Sequence, residues 1–183
     1  SRMKTRKNQI QPHTFLYRRK IMYTPKYVKL YELVPESYYK DIEKKGLLSK
    51  GFMIFNPLVL ETIDMLREKY GPVTINNWKS GGSYQYRGFR PTNSTVGAFL
   101  SAHKFGEAMD CNFKNATASE IRKDMEKYGC FKPGFKTHYT KEAECFKYIN
   151  RIEVYSKGVE ITWFHFDMAN DYNNDGSIKK VNG

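Results

Sequence analysis

Two short segments of the sequence hold residue types that together can bind a metal ion. His103 and Asp110 stand seven positions apart in the first segment, and His165 lies further along in an aromatic stretch. Neutral imidazole and carboxylate are good zinc ligands, and three protein ligands plus water are the usual arrangement of a catalytic zinc. A seven-residue gap is too long for adjacent helical turns, but a loop leading into a strand can bring His103 and Asp110 to one point. By spacing alone, a zinc site and three unrelated structural residues both remain open.

Helices are predicted on either side of the first segment. A helical stretch near 35–45 ends at a glycine, and an Asn-Pro pair opens a second helix over 57–70 that a further glycine ends. A third helix is expected over 118–128, because Thr117 and Glu120 have the spacing of a capping box.

The strands that are expected to carry candidate ligands are predicted from the alternation of residue types along the chain. Residues 148–155 and 159–167 alternate and are rich in β-branched and aromatic residues, which predicts a β-hairpin with His165 near its end. Residues 72–75 are expected to form a short core strand, and 76–100 a long irregular loop. In a strand, Cys111 faces away from Asp110 and is expected in the core. The predicted fold class is therefore α+β, with a small antiparallel sheet and flanking helices.

Composition indicates one soluble domain. The chain has 183 residues, of which 40% are hydrophobic and 27% charged, and no apolar run reaches the length of a membrane span. Three cysteines without a CxxC pair do not suggest a disulfide framework, which favours a reducing compartment. The N-terminus has no secretory signal pattern.

The net charge of +12 favours polyanionic partners, and much of it lies in a predicted basic arm over residues 1–29. Charge attracts nucleic acid without specificity, and no nucleic-acid-binding motif accompanies it, so nucleic acid is not the expected partner. The remaining chain divides into a domain over 30–170 and a polar, loose C-terminal tail over 171–183.

The motif around the candidate ligands resembles that of a known family. The string S-x-H-x-x-G-x-A-x-D followed by W-x-H-x-D resembles the D-Ala-D-Ala carboxypeptidase/Hedgehog family of zinc peptidases, in particular its small phage-encoded members. The segments INNW, YQYRGFRP and TASEIRKDM are similar to that subgroup too. The resemblance covers roughly residues 30–170 and implies a Hedgehog/DD-peptidase-like fold.

Carried over by position, the resemblance implies that His103, Asp110 and His165 bind zinc. Arg87 or Arg90 would bind the substrate carboxylate or hold the site together, since a planar guanidinium suits a carboxylate. Ser101 would hydrogen-bond near the ligands.

The general base is where the chain departs from the commonest family pattern. Many members place a glutamate three residues before the last histidine, and here that position is Thr162. Glu160 falls on the opposite face of a regular strand from His165. Glu153, in the partner strand, better matches the phage subgroup. Glu153 is therefore the favoured base and Glu160 the alternative.

These features predict a zinc peptidase that cuts peptidoglycan stem peptides, as a carboxypeptidase or endolysin-like enzyme derived from a bacteriophage. It would reside in the host cytoplasm or the virion and act at the bacterial cell wall. The alternative is a non-catalytic virion structural or binding protein that contacts other virion proteins and retains the fold.

Overall fold

The computed structural model describes residues 22–183, so the first 21 residues of the predicted basic arm lie outside the described part of the chain. The described residues form a mixed α+β fold around a five-stranded open sheet. The helices and strands are α1 Glu36–Lys44, α2 Pro57–Tyr70, β1 Val73–Thr74, β2 Ala108–Phe113, α3 Ala118–Lys127, α4 Phe135–His138, β3 Arg151–Ser156, β4 Val159–Asp167 and β5 Lys179–Asn182. The order of strands in the sheet is β1-β2-β4-β3-β5.

The three predicted helices are present as α1, α2 and α3, and α2 and α3 have the N-caps that the sequence indicates. Asn56 caps α2 by accepting a hydrogen bond from the backbone N–H of Leu58 at 3.0 Å. At the start of α3, the Thr117 hydroxyl accepts from the Glu120 N–H, and the Glu120 carboxylate accepts from the Thr117 N–H. Both caps satisfy N–H groups that have no partner within the helix.

The predicted hairpin is also present, formed by β3 and β4 with Lys157 and Gly158 in the turn. β2 pairs antiparallel with the other side of β4, so β4 lies at the centre of the sheet. The predicted core strand at 72–75 is shorter than expected: β1 has two residues at the sheet edge, and only Ile75, just after it, is buried.

The C-terminal segment differs from the prediction of a loose tail. Its strand β5 pairs in parallel with β3, which makes the sheet mixed rather than wholly antiparallel. Ser177 and Ile178, just before β5, are buried. The alternation of polar and apolar residues in this segment is too short to indicate a strand. Backbone pairing with β3 is what holds the segment in a strand conformation.

The two faces of the sheet have opposite character. One face packs against α2 and α3 and forms the core. Cys111 belongs to this face and is 1% exposed, which confirms that it is a core residue. The main core residues contributed by the central strands are Met109, Cys111, Ile152, Phe164 and Phe166. The other face carries polar side chains.

Residues 22–29, the described end of the predicted arm, lie against α2. The buried Asp64 carboxylate of α2 accepts from the Tyr23 hydroxyl at 2.7 Å and from the Lys26 backbone N–H at 2.8 Å, and Val28 is buried. This part of the arm therefore belongs to the folded domain. Among residues 22–183, no helix has the length and apolar character needed to cross a membrane.

Candidate metal centre

The polar face of the sheet brings Asp110, His165 and Glu153 into one row. Asp110 of β2 lies directly opposite His165 of β4, and His165 lies directly opposite Glu153 of β3. Directly opposed residues in paired strands point to the same face, with Cβ atoms about 5 Å apart. Strand register therefore places these three side chains side by side across three strands.

His103 reaches this row from the loop side. It lies in a 3-10 helix, Ala102–Phe105, that ends at Gly106 with a φ of +68°. The His103 Nδ1 lies 2.7 Å from the Gly88 carbonyl oxygen, and the His103 carbonyl accepts from the Arg90 N–H at 3.1 Å. Because a carbonyl only accepts, Nδ1 carries the ring proton and leaves the Nε2 lone pair for a metal.

The ligand atoms of the three residues converge. His103 Nε2 lies 3.4 Å from Asp110 Oδ2, and His165 Nδ1 lies 2.7 Å from Asp110 Oδ1. The first distance suits two ligand atoms of one small metal ion. The second is a hydrogen bond whose proton a metal would replace. Among residues 22–183, this buried group has ligand atoms within 4.8 Å of one another and can hold a metal ion.

The two histidines differ in protonation when no metal is bound. Burial lowers the pKa of His103, which is therefore neutral near pH 7. Burial also acts to lower the pKa of His165, but its hydrogen bonds to Asp110 and Asp167 and their charges outweigh burial and raise it to about 9. Burial acts to raise the pKa of Asp110, but its contacts with the two histidines outweigh burial and lower it, so Asp110 is ionised.

The two predicted arginines occupy different places. Arg90 lines the site: its Nη2 lies 3.2 Å from Asp110 Oδ2, and its Nη1 lies 3.4 Å from the Ser101 hydroxyl. Arg87 does not line the site. Its guanidinium donates to the Asn112 side chain and stacks 3.9 Å from the centre of the Tyr84 ring. Arg90 thus holds a candidate ligand, Ser101 contacts Arg90, and Arg87 supports the loop.

The two candidate glutamates lie on different faces of the sheet. Glu153 lines the same cavity as the three candidate ligands, and its charge raises the pKa of Arg90 against the stronger lowering effect of burial. Glu160 instead forms a 2.9 Å ion pair with Arg122 of α3, next to a separate pocket. The geometry therefore brings Glu153, and not Glu160, to the candidate metal centre.

Two further charged residues at the site, Asp167 and Arg151, were not selected from the sequence. Asp167 Oδ2 lies 3.1 Å from His165 Nε2, and Arg151 donates to both oxygens of Asp167. Asp167 follows His165 by two positions in a strand, so the alternation of side chains predicts that both lie on the same face of the sheet. Arg151 had no such signal, because its position opposite Asp167 depends on hairpin register.

The centre opens into a cavity of about 620 Å³ with two unlike walls. One wall is charged and includes Arg151, Glu153 and Asp171, with the end of β5 beside them. The other is formed by the loop before His103 and includes Ala98 and Leu100. A cavity of this size admits a short peptide segment or a molecule of similar bulk.

Comparison of this chain with protein-family models, with curated proteins and with solved structures finds no match.

Proposed function

We propose that this protein is a zinc-dependent peptidase that acts on peptidoglycan stem peptides, with the fold of the D-Ala-D-Ala carboxypeptidase/Hedgehog family. The observation that carries the proposal is the convergence of His103, Asp110 and His165 in a cavity that also holds Glu153. The motif resemblance supports the choice of zinc and of a peptide substrate. A bacteriophage origin and action at the bacterial cell wall, from the host cytoplasm or the virion, are part of the same proposal.

The ligand chemistry fits zinc. Two imidazoles and one carboxylate, all buried, match the three-ligand set of a catalytic zinc with an open position. When bound, zinc supplies Lewis acidity, which acidifies water and polarises a carbonyl. His103 would offer Nε2 and His165 would offer Nδ1, since the other nitrogen of each ring is engaged with a protein acceptor.

Glu153 is the proposed general base. It lies one strand from His165 on the same face and lines the same cavity. Its carboxylate would take a proton from the attacking water and return it to the leaving amine. Glu160 is held by Arg122 on the other face, which argues against a part in this transfer.

Arg90 would act by holding Asp110, and Ser101 by contacting the Arg90 guanidinium. Arg90 also donates from Nε to the Tyr86 carbonyl at 2.7 Å, so its guanidinium is engaged on three sides. This supports the holding role over binding of a substrate carboxylate. Arg87 would keep the loop against the sheet through Asn112.

The experiment is cleavage of a purified stem peptide by zinc-loaded protein, followed by mass spectrometry. We expect the peptide to be cut, and we expect Glu153→Gln to lower kcat about 10²- to 10⁴-fold while zinc content stays unchanged. Glu160→Gln is the matched control, since it makes the same change on the other face. Its kcat should stay within about twofold of wild type. An equal loss in both variants, or in neither, would contradict the role of Glu153.

One observation favours a non-catalytic virion protein as the second candidate. Both arginines of the described cavity are already paired with carboxylates, Arg90 with Asp110 and Arg151 with Asp167. Neither is therefore free to receive the carboxylate of a peptide. Zinc binding without cleavage of any stem peptide would favour this second candidate.

A further inference from the structure

Asp167 is a buried carboxylate in direct contact with a candidate metal ligand. Only 1% of it is exposed, and its Oδ2 lies 3.1 Å from His165 Nε2. A buried carboxylate is costly unless it is paired and hydrogen-bonded. A charge at this position therefore depends on the partners that the fold supplies.

Arg151 compensates that charge. It lies directly opposite Asp167 in the hairpin, and donates from Nε to Oδ1 at 2.9 Å and from Nη2 to Oδ2 at 3.0 Å. The backbone N–H of Ala169 adds a third donor to Oδ1 at 3.0 Å. Every one of these partners is a donor, so the carboxylate is fixed in orientation before it meets the histidine ring.

We propose that Asp167, held by Arg151, is a positioning residue that determines which nitrogen of His165 faces the metal. Asp167 accepts a hydrogen bond from the Nε2 N–H, so Nδ1, which faces Asp110, is the nitrogen whose lone pair would meet the metal once its proton is displaced. Without this acceptor the ring can carry its proton on Nδ1, where it blocks the metal, or rotate about its side-chain bonds. The inference rests on the proposed metal site and does not depend on peptidase activity.

An asparagine cannot replace Asp167 in this role. Its amide nitrogen would have to take the place of Oδ1 or Oδ2, and both oxygens face donors. On the Oδ2 side, the amide N–H would force His165 Nε2 to accept and would move the ring proton to Nδ1. On the Oδ1 side, it would face the donors of Arg151 and Ala169. Asp167→Asn therefore either alters the tautomer or loses the donors that hold the side chain, with little change in size.

The test measures the zinc dissociation constant of wild type, Asp167→Asn and Arg151→Met by competition with a chelator. We expect Asp167→Asn to bind zinc about 10- to 100-fold more weakly, as is typical when the partner of a ligating histidine is lost. Arg151→Met should weaken binding in the same direction. Asp171→Asn is the control: Asp171 also pairs with Arg151, at 3.0 Å, but is exposed and is not one of the carboxylates hydrogen-bonded to His165. It should stay within about twofold of wild type.

A tautomer readout separates positioning from general destabilisation. In ¹⁵N spectra of the zinc-loaded wild type, the protonated nitrogen of His165 should be Nε2, and Asp167→Asn should lose this signature while its metal-free thermal unfolding remains cooperative. Zinc binding by Asp167→Asn within twofold of wild type would overturn the inference. If Asp167→Asn does not fold, Arg151→Met decides, and an unchanged dissociation constant there overturns it. A wild type that binds no zinc would instead overturn the proposed function.

Discussion

The two histidines of the centre are held by two different kinds of structure. On the sheet side, strand pairing places His165 between Asp110 and Asp167, and charged hydrogen bonds fix its ring. On the loop side, His103 depends on the Gly88 carbonyl and on a turn that ends at Gly106. One ligand is therefore positioned by register and ion pairs, and the other by backbone conformation.

The two sides should be sensitive to different perturbations. The sheet side is sensitive to protonation, because His165 is charged between two carboxylates when no metal is present. The loop side is sensitive to steric change, because backbone atoms approach closely where the chain turns. Substitutions and pH should therefore affect the two sides separately.

The largest effect is expected from Gly106→Ala on the loop side. A Cβ at Gly106 would lie 2.0 Å from the Ile54 carbonyl oxygen, a backbone atom that cannot move aside. Gly46 has the same φ of +68° but nothing within 4 Å of its would-be Cβ. We expect Gly46→Ala to cost about 1 kcal/mol of unfolding free energy and Gly106→Ala about 3 kcal/mol or more, from strain plus overlap.

Denaturant unfolding without metal measures both variants. Gly106→Ala should also weaken zinc binding, since Gly106 ends the turn that holds His103, whereas Gly46→Ala should not. Equal costs in the two variants would mean that the turn tolerates the overlap and that loop geometry does not restrict His103.

The second prediction concerns pH and the sheet side. The folded pKa of His165, about 9, lies above its ordinary value of 6.5, so protonated His165 stabilises the metal-free fold. That contribution is complete below pH 6.5 and is lost as the pH rises from 6.5 through 9, a change of about 3 kcal/mol. Metal-free unfolding of wild type against His165→Gln across this range should show the difference.

Zinc binding should have the opposite pH dependence, because zinc must displace the His165 proton. The zinc affinity should therefore rise about tenfold per pH unit between about pH 6.5 and 9. A pH-independent affinity would contradict a protonated His165 in the metal-free protein. A slope near two would mean that His103 is protonated as well.

The smallest effect is expected at the contact that joins the two sides. Arg90 belongs to the loop and pairs with Asp110 of the sheet, so Arg90→Met should weaken zinc binding about tenfold. Arg87→Met is the matched control on the same loop, since Arg87 contacts Asn112 and not the Asp110 side chain. Competition with a chelator measures both. A larger loss of zinc affinity in Arg87→Met than in Arg90→Met would contradict the role of the Arg90–Asp110 ion pair in zinc binding.

The sheet side was largely predictable, and the loop side was not. Alternation over 159–167 predicts that His165 and Asp167 share a face, and the hairpin prediction places Glu153 in the neighbouring strand. Nothing in the alternation predicts that Gly88 would accept from His103 or that Arg90 rather than Arg87 would reach Asp110, because an irregular loop has no period to extrapolate.

The sequence by itself determined the local features. These are the helix caps at Asn56 and Thr117, the hairpin, and the burial of Cys111 on the face of the sheet away from Asp110. These depend on residues a few positions apart, whose preferences are expressed in any context. Only the tertiary structure decided that β5 joins β3, that Glu160 turns to Arg122, and that Arg151 compensates Asp167. Each of these is a contact between distant segments, whose partner is selected by strand register and packing rather than by neighbouring residues.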